Sequence, residues 1–138
     1  MTKRTKVAIR KLPTGVPGLD QILGGGLPEF SFNIIAGTPG CGKTTLAHQI
    51  AFANATAERP ALYFTILGEP ALKMLRYQQQ YDFYDETMMG SAIRFINLSE
   101  QVLKGDWNVV LDAIISEVEA ANPAIVIVDS FRSMARKF

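Results

Sequence analysis

The chain has 138 residues, a length that predicts one domain with its own core. Hydrophobic residues make up 48% and charged residues 20%, as expected of a soluble globular protein, and a formal net charge of +1 leaves no overall field to steer it toward nucleic acid or membrane. A single cysteine excludes an internal disulfide and a cysteine-based zinc cluster, and no apolar run approaches the roughly 20 residues needed to cross a bilayer. The basic N-terminus lacks the apolar stretch of a signal peptide, so the expected compartment is the cytoplasm.

Residues 1–31 read as a basic arm followed by a Gly/Pro-rich lead-in, and 32–138 as the α/β domain proper. Lys3, Arg4, Lys6, Arg10 and Lys11 are expected to be solvated, and no aromatic residue before Phe30 offers a base a stacking platform. Pro13, Gly15, Pro17, Gly18, Gly24-Gly25-Gly26 and Pro28 predict turns, with one helical turn around Leu19 to Leu23. Phe32 to Ala36 reads as a short buried strand, and Thr44 to Ala57, free of Gly and Pro, as a helix. Ala61 to Leu67 predicts a second strand, ended by Gly68 and Pro70. Pro70 suits the first turn of a helix over Ala71 to Tyr81, with Leu72, Leu75 and Gln79 on one stripe. Asp82, Asp85 and Glu86 read as solvated turn residues, and Met88 and Met89 as core or turn filler. Ile93 to Leu98 is a third strand. Trp107 is expected to anchor an amphipathic helix over Asn108 to Ala121, whose buried face carries Val110, Ile114, Val118 and Ala121. Asn122-Pro123 stops it, Ala124 to Val128 forms a fourth strand, and a helix begins over Ser130 to Lys137. Strands separated by helices imply a mostly parallel sheet flanked by helices, and the unalternating apolar runs at Ile34-Ile35 and Ile125 to Val128 fit strands covered on both faces.

Gly37-Thr38-Pro39-Gly40-Cys41-Gly42-Lys43-Thr44 fits the phosphate-binding pattern G-x-x-x-x-G-K-[ST] at every fixed position, between an expected strand and an expected helix. Glycines permit the backbone to turn its N–H groups toward a triphosphate, and the helix start adds unpaired donors and a positive dipole end. Lys43 would reach the β- and γ-phosphates, and the Thr44 hydroxyl would ligate Mg²⁺. Thr38, Pro39 and Cys41 line the loop, Pro39 as a stiffener without a donor, and Thr45 follows on the first helical turn. Cys41 reads as a variable loop position and His48, one turn into the helix, as packing or surface.

Ile125-Val126-Ile127-Val128-Asp129 is an apolar strand ending in an acid, which beside a phosphate loop reads as a Walker B segment. Asp129 would then lie at the carboxyl edge of the sheet near Thr44 and hold Mg²⁺ directly or through water; the alternative is a cap on the helix starting near Ser130. Hydrolysis requires a group that orients or deprotonates water, and Glu69, directly after the second strand, is the catalytic candidate; an acid in the first turn of the next helix is an equal reading.

Val16-Pro17-Gly18-Leu19-Asp20, Gly24-Gly25-Gly26-Leu27-Pro28, the loop from Gly37 to Thr44 and Asp129-Ser130 together resemble the KaiC/RecA superfamily of P-loop ATPases, KaiC-like proteins in particular. The resemblance runs from about residue 7 to the end, and the G-L-D…G-G-G-L-P lead-in is what separates KaiC-like chains from other P-loop families. It implies a RecA-like core that binds ATP and Mg²⁺, hydrolyses ATP and self-associates into hexameric rings, with signalling and autophosphorylation in the circadian clock protein. Lys43, Thr44 and Asp129 carry over by position. The adjacent glutamates that follow the second strand of the clock protein fall on Leu67 and Gly68, with Glu69 beside them, so slow hydrolysis follows unless the turn delivers Glu69. The family core also continues past Walker B with a strand that inserts between the phosphate-loop strand and the Walker B strand. A chain truncated at Phe138 is expected to leave a gap there. Two rival functions remain at this stage, a nucleotide-dependent interaction module without turnover and a RecA-type DNA-handling ATPase, although the near-neutral charge makes nucleic acid an unexpected partner.

Overall fold

The computed structural model describes residues 7–66 and 71–130. Two short strands, β1 (Lys11–Leu12) and β2 (Leu27–Pro28), pair antiparallel around a one-turn helix α1 (Leu19–Ile22). There follow α2 (Lys43–Asn54), β3 (Ala61–Thr65), α3 (Ala71–Gln78), a 3₁₀ turn over Glu86–Met88, β4 (Ile93–Asn97), α4 (Ser99–Leu103), α5 (Trp107–Ala121) and β5 (Ile125–Asp129). The main sheet has the order β4-β3-β5, all parallel, with Ala61, Ile93 and Ile125 in register at one end and Thr65, Asn97 and Asp129 at the other. That common register puts Asp129 on the carboxyl edge, where the sequence expects it.

Helices cover both faces of β3. On one side Ala51 of α2 and Ala55 just past its end lie against Ala61 and Ile93, joined by Phe52, Phe95, Ile125, Ile127, Met88 and Met89. Small residues on α2 permit close approach to the strands. On the other side Leu62, Phe64, Ile66, Leu98, Val102 and Val110 form a second cluster, on which Trp107, Ile114, Val118 and Ala121 of α5 pack. The expected face of α5 is therefore the packed one, and Asp112, Glu117 and Glu119 are exposed. Asp106 caps α5 by accepting from the Asn108 amide at 2.8 Å, and Asn122 ends it in the left-handed region at φ 45°.

Three expectations are corrected. Phe32 to Ala36 is not a strand: the segment has no regular structure and every residue in it is exposed. A strand needs a partner for its backbone groups, and the outer edge of β5, the parallel position next to it, pairs with nothing among the described residues. The helix after Pro70 ends at Gln78 rather than Tyr81, and it is Gln78, not Gln79, that is buried. The α2 helix ends at Asn54, three residues short of the expected Ala57, with Ala55 extended. The helix expected over Ser130 to Lys137 lies, apart from Ser130, outside the described residues.

The lead-in is fastened to α2. Thr14 is fully buried, and its backbone N–H and its hydroxyl both donate to Asp20 Oδ1, at 2.8 and 2.6 Å. Those two bonds hold the Asp20 carboxyl below the usual carboxylate range. From α2, Gln49 Nε2 donates to the Gly15 carbonyl at 2.9 Å and Asn54 Nδ2 to the Pro13 carbonyl at 2.8 Å.

Candidate functional site

Residues Gly37 to Gly42 form a turn that delivers the chain into α2. Gly42 is the residue before the helix at φ 98°, and Gly40 sits at φ 79°, backbone that an L side chain resists. At Gly37 the constraint is space, because an added Cβ would collide with Cys41 Sγ. The Cys41 amide donates to the Thr38 carbonyl at 3.2 Å and closes the turn. Gly40, Gly42, Lys43, Thr44 and Thr45 line an open cavity of about 250 Å³ at the start of α2. The first turn of α2 carries no acidic side chain of its own.

Lys43 folds back over the loop. Its Nζ donates to the carbonyls of Gly37 at 2.8 Å and Thr38 at 2.9 Å, and lies 3.8 Å from Cys41 Sγ. The ammonium is thus held in the concavity where a phosphate group would meet it. Cys41 is an exposed free thiol, as a variable loop position would be.

Thr44 and Asp129, 85 residues apart in the chain, are brought into contact. Thr44 Oγ1 donates to Asp129 Oδ2 at 2.8 Å. The expected juxtaposition of the loop threonine with the acid at the end of the last strand is therefore present. These are two hard oxygen donors at the mouth of an anion-binding loop, and they fit Mg²⁺, which takes one or two protein oxygens and completes its shell with water and phosphate. No cluster of three or more His, Cys, Asp or Glu residues occurs among the described residues, so the donor set offers nothing to a metal that needs an all-protein cage. Glu69, with Leu67 and Gly68, lies outside the described residues.

Sequence reading missed a third member. Tyr63 of β3 is fully buried, and its hydroxyl donates to the same Asp129 Oδ2 at 2.7 Å. The sheet register carries the signal: Thr65 pairs with Asp129, so Tyr63, two residues back on the same face, reaches the acid along the diagonal. Burial, and then the charge of Asp129, push the Tyr63 phenol well above its ordinary value. His48 packs beside it, 1% exposed, with ring centroids 4.7 Å from Tyr63 and 5.5 Å from Phe95. Burial lowers its pKa to about 4, against a smaller opposing pull from Asp129, so the imidazole is neutral at pH 7. The expectation of a packing histidine holds. Asp82, Asp85 and Glu86 are exposed and stand away from the loop, Asp85 capping the 3₁₀ turn through the Thr87 amide.

A parallel α/β sheet with a glycine loop feeding a helix at its carboxyl edge defines a RecA-like P-loop core. The family model described as "ATPase: KaiC" matches residues 12–137, and the chain belongs to that family, as a nucleotide-binding ATPase domain. It is 36% identical over 126 residues to the DNA repair protein RadA of Mycobacterium tuberculosis, covering 91% of this chain and 23% of that protein. It is 31% identical over 132 residues to RadA of Pseudomonas aeruginosa, covering 94% of this chain and 25% of the relative. A UPF0273 protein of Thermotoga maritima is 37% identical over 62 residues, 45% of this chain and 26% of its own. The chain thus spans about a quarter of the length of the curated relatives it matches.

Proposed function

We propose that this domain binds ATP with Mg²⁺ and hydrolyses it slowly. The observation that carries the reading is the Thr44–Asp129 contact at 2.8 Å beside a glycine loop that holds the Lys43 ammonium. Gly37 to Thr45 form the triphosphate cradle through their backbone N–H groups, Pro39 excepted. Lys43 exchanges its two carbonyl contacts for phosphate oxygens. Thr44 and Asp129 would hold Mg²⁺, which when bound would supply charge neutralisation for the phosphates. Glu69 orients the attacking water, and its offset from the position of the clock protein's glutamates keeps turnover slow. The same reading places the activity in the cytoplasm and has copies associating around bound nucleotide.

Calorimetry and thermal shift with ATP, with and without Mg²⁺, test this reading. Ligand at 100 times its dissociation constant stabilises the fold by about 2.7 kcal/mol. Lys43→Ala should remove that gain while leaving the unliganded melting point in place, because the side chain's work is electrostatic. Thr44→Ala should weaken binding with Mg²⁺ more than binding without it. Unchanged ATP affinity in Lys43→Ala would refute the phosphate-loop assignment. Turnover that is the same in Glu69→Gln as in the parent would remove Glu69 as the catalytic residue, whereas ATP binding with no turnover in the parent would favour a nucleotide-dependent interaction module. The RadA matches, named as DNA repair proteins, support a second reading in which turnover is coupled to DNA, and stimulation of ATPase rate by single-stranded DNA is its test.

A further inference from the structure

The structure assigns Tyr63 as a positioning residue for Asp129: its buried hydroxyl fixes the carboxylate that, with Thr44, faces the cation of bound Mg²⁺–ATP. The inference rests on the nucleotide reading above and names a residue which that reading leaves out. Two hydroxyls converge on one oxygen, Thr44 Oγ1 at 2.8 Å and Tyr63 at 2.7 Å from Asp129 Oδ2. They differ in kind. Thr44 belongs to the loop and changes its surroundings when a cation and phosphates arrive. Tyr63 belongs to the central strand and is bordered by paired backbone on both sides, Phe95 on β4 and Ile127 on β5.

The ring is held as firmly as the backbone. Tyr63 is 0% exposed and packs against His48 at 4.7 Å and Phe95 at 5.2 Å between ring centroids. With the ring locked, the hydroxyl oxygen is fixed in place, and its O–H donates to Asp129. The acid itself sits at the end of β5, which has one paired edge among the described residues and is half-buried. Without the phenol, the carboxylate would lose one of the two hydroxyl donors that orient it among the described residues. Tyr63 thus ties a carboxylate at a lightly supported strand end to the most rigid part of the sheet, and a carboxylate so fixed meets a cation without first being ordered.

Tyr63→Phe keeps the ring and deletes the donor. In calorimetric titrations of the whole chain with ATP, the ratio of affinities with and without Mg²⁺ should fall about tenfold or more, the range expected for one lost hydrogen bond to a charged group. Affinity without Mg²⁺ should stay within about twofold of the parent, a split that a general loss of structure does not produce. A second measurement uses no nucleotide. Tyr63→Phe should lower the melting temperature of the parent and have a smaller effect in an Asp129→Ala background, because the two side chains share one bond. An unchanged or increased Mg²⁺ ratio, or equal melting shifts in both backgrounds, overturns the positioning role while leaving the ATP reading intact. A parent chain that binds no ATP overturns both.

Discussion

Ala61-Leu62-Tyr63-Phe64-Thr65 and Phe32-Asn33-Ile34-Ile35-Ala36 are both five-residue runs dominated by apolar side chains. The first is the central strand, with its first four residues 0% exposed. The second runs over the surface without regular structure, Phe32 at 77% and Ile34 at 78% exposed. Hydropathy does not separate them. What differs is the neighbourhood, since β3 has a strand on each edge and a helix layer on each face, whereas residues 32–36 have no hydrogen-bonded neighbour strand among the described residues. An apolar run becomes a strand only where the fold supplies partners for its N–H and C=O groups.

The contrast can be broken by mutation. Phe64→Ala should destabilise the domain by about 3–5 kcal/mol, the cost of emptying a fully buried aromatic site, read by urea denaturation. A loss below about 1 kcal/mol would mean that the sheet core tolerates voids and is not the stable region described here.

The packed side also carries a pH signature. Folded His48 titrates near 4 and the unfolded chain near 6.5, so between those values the unfolded state holds more protons. Stability should be full above about pH 6.5 and fall as pH drops toward 4, by roughly 3 kcal/mol in nucleotide-free protein. His48→Gln should flatten that window, and a slope over pH 4–6.5 identical to the parent's would show that the imidazole is not the group responsible.

Smaller effects belong to the lead-in. Thr14→Val removes one hydroxyl bond to Asp20 and leaves the amide bond, so a loss of about 1 kcal/mol is expected by chemical denaturation. The smallest effect belongs to the surface run: Phe32→Ser should change stability by no more than about 0.5 kcal/mol. A large loss there would show that the segment is packed in solution and would erase the comparison with β3.

The same comparison marks what the sequence could reveal. The presence of a helix after the glycine loop, though not its end at Asn54, the apolar runs of β3 to β5 and the single packed face of α5 were readable because glycine spacing, unbroken apolar runs and helical periodicity are local signals. The boundary at Asn122-Pro123 was readable for the same reason, and Asn122 does adopt the left-handed cap. The Thr44–Asp129 pairing was expected because both fall at one sheet edge. Tyr63 was hidden because its role depends on the register of β3 against β5, a relation between residues 66 positions apart. The short α4 follows a turn in which the Ser99 amide donates to Asn97 Oδ1, a local bond that no periodic pattern announces. Phe32 to Ala36 misled because composition reports burial only when a neighbour exists to provide it.

The ammonium of Lys43 is bonded at 2.8 and 2.9 Å to the carbonyls of Gly37 and Thr38 before any ligand arrives. An arriving triphosphate competes with the loop's own oxygens for a cation already engaged, so its dissociation constant measures an exchange rather than a simple capture. Contacts of a solvent-facing side chain break within about nanoseconds, so the exchange lowers affinity without slowing entry, and rapid-mixing traces should show an observed rate that rises in proportion to ATP concentration.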